Sequence, residues 1–149
     1  MPGFNHSGPR QSDDFVIPAF ARQIARIEAG RQKPLMAVGD LTAKRDLSDV
    51  RDVVRGYRLL AEKGQPGEIY HLSTGRAVTI NKVLDMLLAL SVLKIKVTTD
   101  KKRLREAEIP VLRGSNKKAK KRLGFEIRYS LKETLADTLE YWRTKEKVS

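Results

Sequence analysis

Apolar residues recur along this chain at intervals that define its elements. Phe20, Ile24 and Ile27 follow helical spacing. Pro18 suits the first turn of that helix, where a missing N–H costs nothing, and Gly30 supplies the stop. Leu35 to Val38 is a short apolar run between Pro34 and Gly39, which predicts a buried strand. Ser48 is placed to cap a second helix with the stripe Val50, Val53, Val54, Tyr57 and Leu60, ending near Gly64. After a Pro66-Gly67 turn, Glu68 to Ser73 reads as a strand. Thr79 caps a third helix with Ile80, Val83, Leu84, Leu87 and Leu88 inward, and Ile95, Val97 and Thr99 then alternate as a strand. Ser115 opens a short basic helix that closes at Leu123-Gly124. Ser130-Leu-Lys-Glu133 is a capping box for a last helix whose inner face is Leu131, Leu135, Leu139 and Trp142.

This order predicts an α/β fold whose short strands pair mostly in parallel. The 149 residues fit one domain with a real core. The strands are few and short for the helices they must cover, so part of the sheet is expected to come from outside these residues.

Composition narrows the chemistry. With 40% apolar and 32% charged residues the chain is globular in character, and having no Cys it can form neither disulfides nor thiolate sites. The longest apolar run, around Met86 to Leu90, is too short to span a bilayer. The first residues lack a signal-peptide pattern, so a cytoplasmic, non-membrane protein is expected. Lys and Arg number 30 against 18 Asp and Glu, a net charge of +12, which favours phosphorylated or polyanionic partners. Much of the surplus lies between Lys101 and Arg122. His6 and His71 stand without companion ligands, so no metal site is expected. The glycines never assemble a dinucleotide fingerprint, and neither a P-loop nor a Gly-x-Ser-x-Gly pattern occurs.

Several segments carry a likeness in order: Phe4-Asn-His-Ser-Gly-Pro-Arg-Gln11, Phe15-Val-Ile-Pro-Ala-Phe20 on to Gly30, Val38-Gly-Asp-Leu-Thr-Ala-Lys-Arg-Asp46, Ser48-Asp-Val-Arg-Asp-Val-Val-Arg-Gly-Tyr57, Gly67-Glu-Ile-Tyr-His-Leu-Ser73 and Leu139-Glu-Tyr-Trp-Arg143. Together they resemble the C-terminal, substrate-binding part of the extended short-chain dehydrogenases/reductases (the NAD-dependent epimerase/dehydratase family). The nearest patterns are those of GDP-4-keto-6-deoxymannose reductases and GDP-mannose 4,6-dehydratases. The likeness spans residues 1–149 as one nucleotide-sugar-binding region. It implies a few Rossmann-sheet strands plus a small mixed α/β domain, with the N-terminal NAD(P)-binding region lying outside the chain.

By the same likeness Asn5 meets the substrate diphosphate, Arg45 grips it, and Arg105 grips it a second time with Arg103 as helper. Phe15 and Val16, with the Met36-Ala37-Val38 strand, form the wall for the nucleoside. An arginine pair suits a diphosphate, because planar, permanently charged forks bond it bidentately. Spacing alone favours a plainer reading, with Arg45 paired to Asp46 or Asp49 and Arg103 and Arg105 simply solvated; the likeness reverses that preference.

In the family the cofactor fingerprint and the catalytic Ser/Thr and Tyr-x-x-x-Lys precede the Phe-Asn-His strand, where this chain starts. Tyr141 and Lys145 have that spacing, but on the last amphipathic helix. The resemblance therefore implies NAD or NADP in an intact enzyme and none bound by this chain alone, which would be inactive as an isolated reductase or dehydratase. The expected partners are a GDP-sugar or other nucleotide sugar, and a second copy or a missing N-terminal half that covers open strand edges. The competing readings are a basic nucleic-acid-binding module using Lys101 to Arg122 and a non-catalytic remnant.

Overall fold

The computed structural model of the protein describes residues 4–100 and 109–148. Among these, strand β3 (Lys44–Asp49) organises the main sheet. Strand β1 (Asn5–Ser7) runs parallel to its C-terminal half, with Asn5 opposite Leu47, and β6 (Val111–Leu112) runs parallel to its first two residues. Strand β4 (Ala77–Thr79) pairs antiparallel with Lys44–Asp46. A separate two-stranded parallel sheet joins β2 (Leu35–Val38) to β5 (Lys96–Thr99). The α/β class and the mainly parallel pairing are as the sequence implies.

The helices follow their sequence signals closely. Helix α1 (Val16–Glu28) buries Ile17, Phe20, Ala21, Ile24 and Ile27, and Gly30 at φ 72° turns the chain away. Helix α3 (Ile80–Leu88) starts at Thr79, whose Oγ1 accepts from the Lys82 N–H at 3.1 Å. Helix α4 (Lys117–Leu123) stops at Gly124, φ 71°. Helix α5 (Leu131–Val148) opens on the capping box: Ser130 N donates to Glu133 Oε2 at 2.7 Å, and Glu133 N donates to Ser130 Oγ at 3.2 Å. α1, α3 and α5 close over β2 and Leu47 as the larger core, centred on Ile24, Leu84, Leu87, Leu135 and Leu139. Leu139 is fully enclosed, so truncating it to Ala costs about 2–5 kcal/mol. A smaller core gathers Val53 of helix α2 (Val50–Lys63), Tyr70, Leu72, Ala119, Leu123 and Phe125.

Three expectations are corrected. Strand β3, Lys-Arg-Asp-Leu-Ser-Asp, carries no alternating apolar pattern, and the carboxylates it buries, Asp46 and Asp49, are hydrogen-bonded rather than solvated. α2 is capped by Asp49, not Ser48: the Asp49 carboxylate accepts from the Arg51 N–H at 2.8 Å. The buried face of α2 runs through Asp52, Val53 and Gly56, while Val54 and Tyr57 are 60% and 50% exposed. The cause is a phase shift, since the helix turns toward the protein the face that carries a buried carboxylate. Finally, Glu68–Ser73 has no ladder partner among the described residues. It buries Tyr70 and Leu72 and leaves Ile69 at 60% exposure.

The polar interior of β3 explains how the loops around it are held. Asp46 is fully buried and accepts from the backbone N–H groups of Thr74 (2.9 Å), Gly75 (2.9 Å) and Gly114 (3.2 Å), and from Thr74 Oγ1. Asp49 accepts from Arg51 and from Thr134 Oγ1 of α5 at 2.8 Å. Burial pushes its carboxyl up, but those bonds outweigh burial and hold it below the ordinary range. Asp52 accepts from the N–H groups of Arg128 and Tyr129 and pairs with Arg55 at 2.7 Å. Each carboxylate replaces a strand or helix partner for backbone donors that would otherwise be buried unbonded.

Candidate functional site

The site is built where β1, β3 and the start of α1 meet. Directly opposite residues in paired strands share a face, and so do residues two apart in one strand. Asn5 therefore projects on the same side of the sheet as Leu47, and Arg45 lies on that side about 7 Å further along β3. The Asn5 side chain is exposed and carries no hydrogen bond among the described residues. Beside it lies a cleft of about 500 Å³, walled by Asn5, Phe15, Val16 and Leu47 among others. Phe15 is 57% exposed and Val16 38%, so two apolar side chains stand open to that cleft at the first turn of α1.

Arg45 is anchored at one end only. Its NH1 donates to the carbonyls of Lys44 and Ile109, each at 2.8 Å, and the rest of its fork has no partner among the described residues. It pairs with neither Asp46, whose oxygens are committed to the loops, nor Asp49, which Arg51 holds. Asp46 is thus a strut for the strand that presents Arg45. The carbonyl of Ile109 links Arg45 to the chain that follows Arg103 and Arg105, but those two arginines lie outside the described residues.

The β2 residues divide by face. Met36 and Val38 point into the larger core and are closed to any ligand, whereas Ala37 faces outward and is partly exposed. A nucleoside laid on this strand would meet Ala37 and backbone rather than Met36 or Val38. The loop leading to α1 is fastened from behind. Arg22 bridges Asp13 to Glu146 of α5, and the Arg22 side chain holds the Asp13 carboxyl below its usual range. Arg10 takes a left-handed φ of 73°, and Gln11 accepts from Ser7 Oγ at 2.7 Å and donates to His6 O at 3.1 Å. Leu47 and Gln11 escape a search for charged or catalytic types. The signal for Leu47 was its position two residues after Arg45.

Tyr141 and Lys145 form no acid–base pair: Lys145 Nζ stacks 4.8 Å from the Trp142 ring and 6.0 Å from that of Tyr141. The positive-φ glycines close helices or turns, at Gly30, Gly67, Gly75 and Gly124, and none opens a helix after a strand. Among the described residues no helix is long and apolar enough to cross a membrane.

Comparison with known proteins places this arrangement. Residues 2–138 match the family model for GDP-mannose 4,6 dehydratase. A GDP-6-deoxy-D-mannose reductase of Pseudomonas aeruginosa is 34% identical over 142 residues, covering 95% of this chain and 47% of that protein. A GDP-mannose 4,6 dehydratase of Dictyostelium discoideum is 29% identical over 169 residues, covering 98% of this chain and 47% of that protein. The structure of RMD from Pseudomonas aeruginosa complexed with NADPH superposes with a TM-score of 0.90 at 33% identity, over 96% of this chain and 47% of that one. The chain spans about half the length of the curated relatives it matches.

Proposed function

The chain belongs to the GDP-mannose 4,6-dehydratase family, and on that premise we propose that it supplies the substrate half of an NAD(P)-dependent nucleotide-sugar reductase or dehydratase. The observation that carries the reading is the shared face of β1 and β3. Asn5 and the free part of the Arg45 fork stand on one side of the sheet, next to the cleft lined by Phe15 and Val16. A diphosphate set there accepts from the Arg45 guanidinium and the Asn5 amide, while the apolar walls of the cleft accept the attached nucleoside. Arg105, four residues before Ile109 in the sequence, is the second cation of the clamp, with Arg103 beside it. The net charge of +12 favours such an anionic ligand.

Hydride transfer needs groups beyond these residues. A nicotinamide cofactor would supply the redox step, and neither its Gly-rich cradle nor a suitably placed Tyr-x-x-x-Lys is found among them. The chain's own work is to bind and orient the nucleotide sugar. The unpartnered segment Glu68–Ser73 and the open faces around it suit pairing with another chain segment or a second copy.

Titration calorimetry tests this. GDP is expected to bind more tightly than GMP, and Arg45→Ala is expected to lower GDP affinity about ten-fold or more, since a hydrogen bond to a charged group contributes about 1.5–3 kcal/mol. The absence of heat with GDP, UDP and a GDP-sugar would leave a non-catalytic remnant as the answer.

A further inference from the structure

A second cleft opens on the other side of β3. In the order β1-β3-β4, strand β3 stands between β1, which carries Asn5, and β4. On the β4 side lies a cleft of about 700 Å³, bounded by Thr74, Arg76 and Val78, by Asn116 and Lys120 at α4, and by the segment 125–131. Of the residues that wall the Asn5 cleft it shares only Leu47.

The walls are held in place by bonds that need no ligand. Thr74 N–H is tied to Asp46 at 2.9 Å, and Asn116 Nδ2 donates to Ser73 O at 2.9 Å. Tyr129 N–H donates to Asp52 at 3.1 Å, and the Arg51 guanidinium lies 3.7 Å from the centre of the Tyr129 ring. The Glu126 carbonyl takes a bond from Arg55. A cleft fixed in this way spends little on ordering when it binds.

Several polar groups in that frame are unused by the fold. Arg76 and Lys120 are exposed, and no hydrogen bond or ion pair engages either side chain among the described residues. The Glu126 carboxylate and the Tyr129 hydroxyl are likewise uncommitted there, and Asn116 keeps its Oδ1 free. Val78 and Ile127 add small apolar surfaces. Two cations suit a phosphate, whose oxygens take charge-assisted bonds. The acceptors suit hydroxyl donors, and the apolar surfaces suit the C–H face of a sugar ring. A simple fatty carboxylate would leave Glu126 facing it without a donor. A nucleic acid would call for a row of cations rather than two beside an acid.

We propose that this cleft is a binding site for a phosphorylated sugar, separate from the Asn5–Arg45 cleft. Arg76 and Lys120 hold the phosphate, while Glu126, Asn116 Oδ1 and the Tyr129 hydroxyl bond the sugar hydroxyls. The assignment does not depend on what the Asn5–Arg45 cleft binds.

Calorimetry and thermal melts on the full chain with glucose 6-phosphate, inorganic phosphate and glucose test it. Glucose 6-phosphate is expected to bind one to one and raise the melting temperature, with inorganic phosphate about ten-fold weaker and glucose weaker still. Arg76→Ala and Lys120→Ala should each weaken glucose 6-phosphate about five-fold or more. Lys63→Ala, which removes an α2 cation outside the cleft, should not. Glu126→Ala should weaken glucose 6-phosphate but not inorganic phosphate, which has no sugar hydroxyl to offer. All four of these side chains are exposed, so the variants should melt as the wild type does without ligand. No binding of glucose 6-phosphate, or inorganic phosphate binding as well as glucose 6-phosphate, overturns the site. An equal loss in Lys63→Ala overturns it too, by reducing the binding to general attraction from the net charge of +12. If Arg45→Ala removes the binding and Arg76→Ala does not, the sugar phosphate sits in the Asn5–Arg45 cleft; the inference then falls while that cleft keeps its anion.

Discussion

Asp46 shows how much one residue organises here. Its carboxylate has no hydrogen-bonded cation among the described residues; it collects three backbone N–H groups from two separate loops and a hydroxyl from one of them. Asp46→Ala leaves those backbone donors buried and unbonded, at about 1–3 kcal/mol each. With partial relaxation, a loss of roughly 3–5 kcal/mol in urea unfolding is expected, together with weaker GDP binding, because β3 presents Arg45. A loss below about 1 kcal/mol would mean that water takes over the donors. Gly114 is bound into the same arrangement. A Cβ there would lie 2.5 Å from Ser73 Oγ and 2.8 Å from Phe4 Cε2, so Gly114→Ala must displace side chains from two elements at once. Overpacking of this kind costs about 1–3 kcal/mol, and the thermal melt of the variant should fall accordingly.

At the level of elements, α1 and α5 form the best-defended contact, and its edges are ionic. Glu28 takes two bonds from Arg143, at 2.7 and 2.9 Å, and a third from Ser91 Oγ at 3.0 Å. The Arg143 side chain holds the Glu28 carboxyl below its ordinary value, as Arg22 holds Asp13. A carboxylate depressed in the folded state adds stability that is fully present above its unfolded pKa, about 4.3 for Glu, and is lost as pH falls through the folded value. Melting temperature should therefore drop steeply below about pH 4, and Glu28→Gln should lower stability at neutral pH while flattening that acid limb. An acid limb of unchanged slope in the variant would assign acid sensitivity elsewhere. These helices were legible in the sequence because apolar spacing, Thr79, Gly30 and the Ser130–Glu133 box are local signals that tertiary packing did not override. β3 was not legible, because strand reading looks for alternating apolar residues and its buried run, Asp46, Leu47, Ser48 and Asp49, holds one apolar residue among three polar ones. Asp46, Asp49 and Asp52 recur every three residues, a pattern that identifies loop-holding carboxylates only once their partners, as far away as Arg128 and Thr134, are known. The candidate site was read residue by residue from family likeness. The face on which each lies came from register alone, which is why Met36 and Val38 turned inward while Ala37 did not.

The whole molecule has one well-covered core and one thin one. The larger is enclosed by α1, α3 and α5, whereas the smaller has α2 and α4 over Tyr70 and Leu72, with Val54, Tyr57 and Ile69 left open to solvent near it. On α2, Val54 and Tyr57 sit three residues apart and hence on adjoining positions of one face. Glu68–Ser73 offers backbone groups that no strand takes up among the described residues. An apolar helix face beside an unpaired extended segment is the combination by which chains associate edge to edge. Charge of +12 opposes association through long-range repulsion, and added salt screens that repulsion within about 10 Å at 0.1 M. Self-association by sedimentation velocity should therefore strengthen, not weaken, as salt is raised. It should be suppressed by the double change Val54→Glu with Tyr57→Lys, which leaves the larger core untouched and so should leave GDP affinity unchanged. A chain that stays monomeric at high protein concentration and high salt would show that α2 and the Glu68–Ser73 segment need no partner. Association that persists in the double variant would place the contact on another surface.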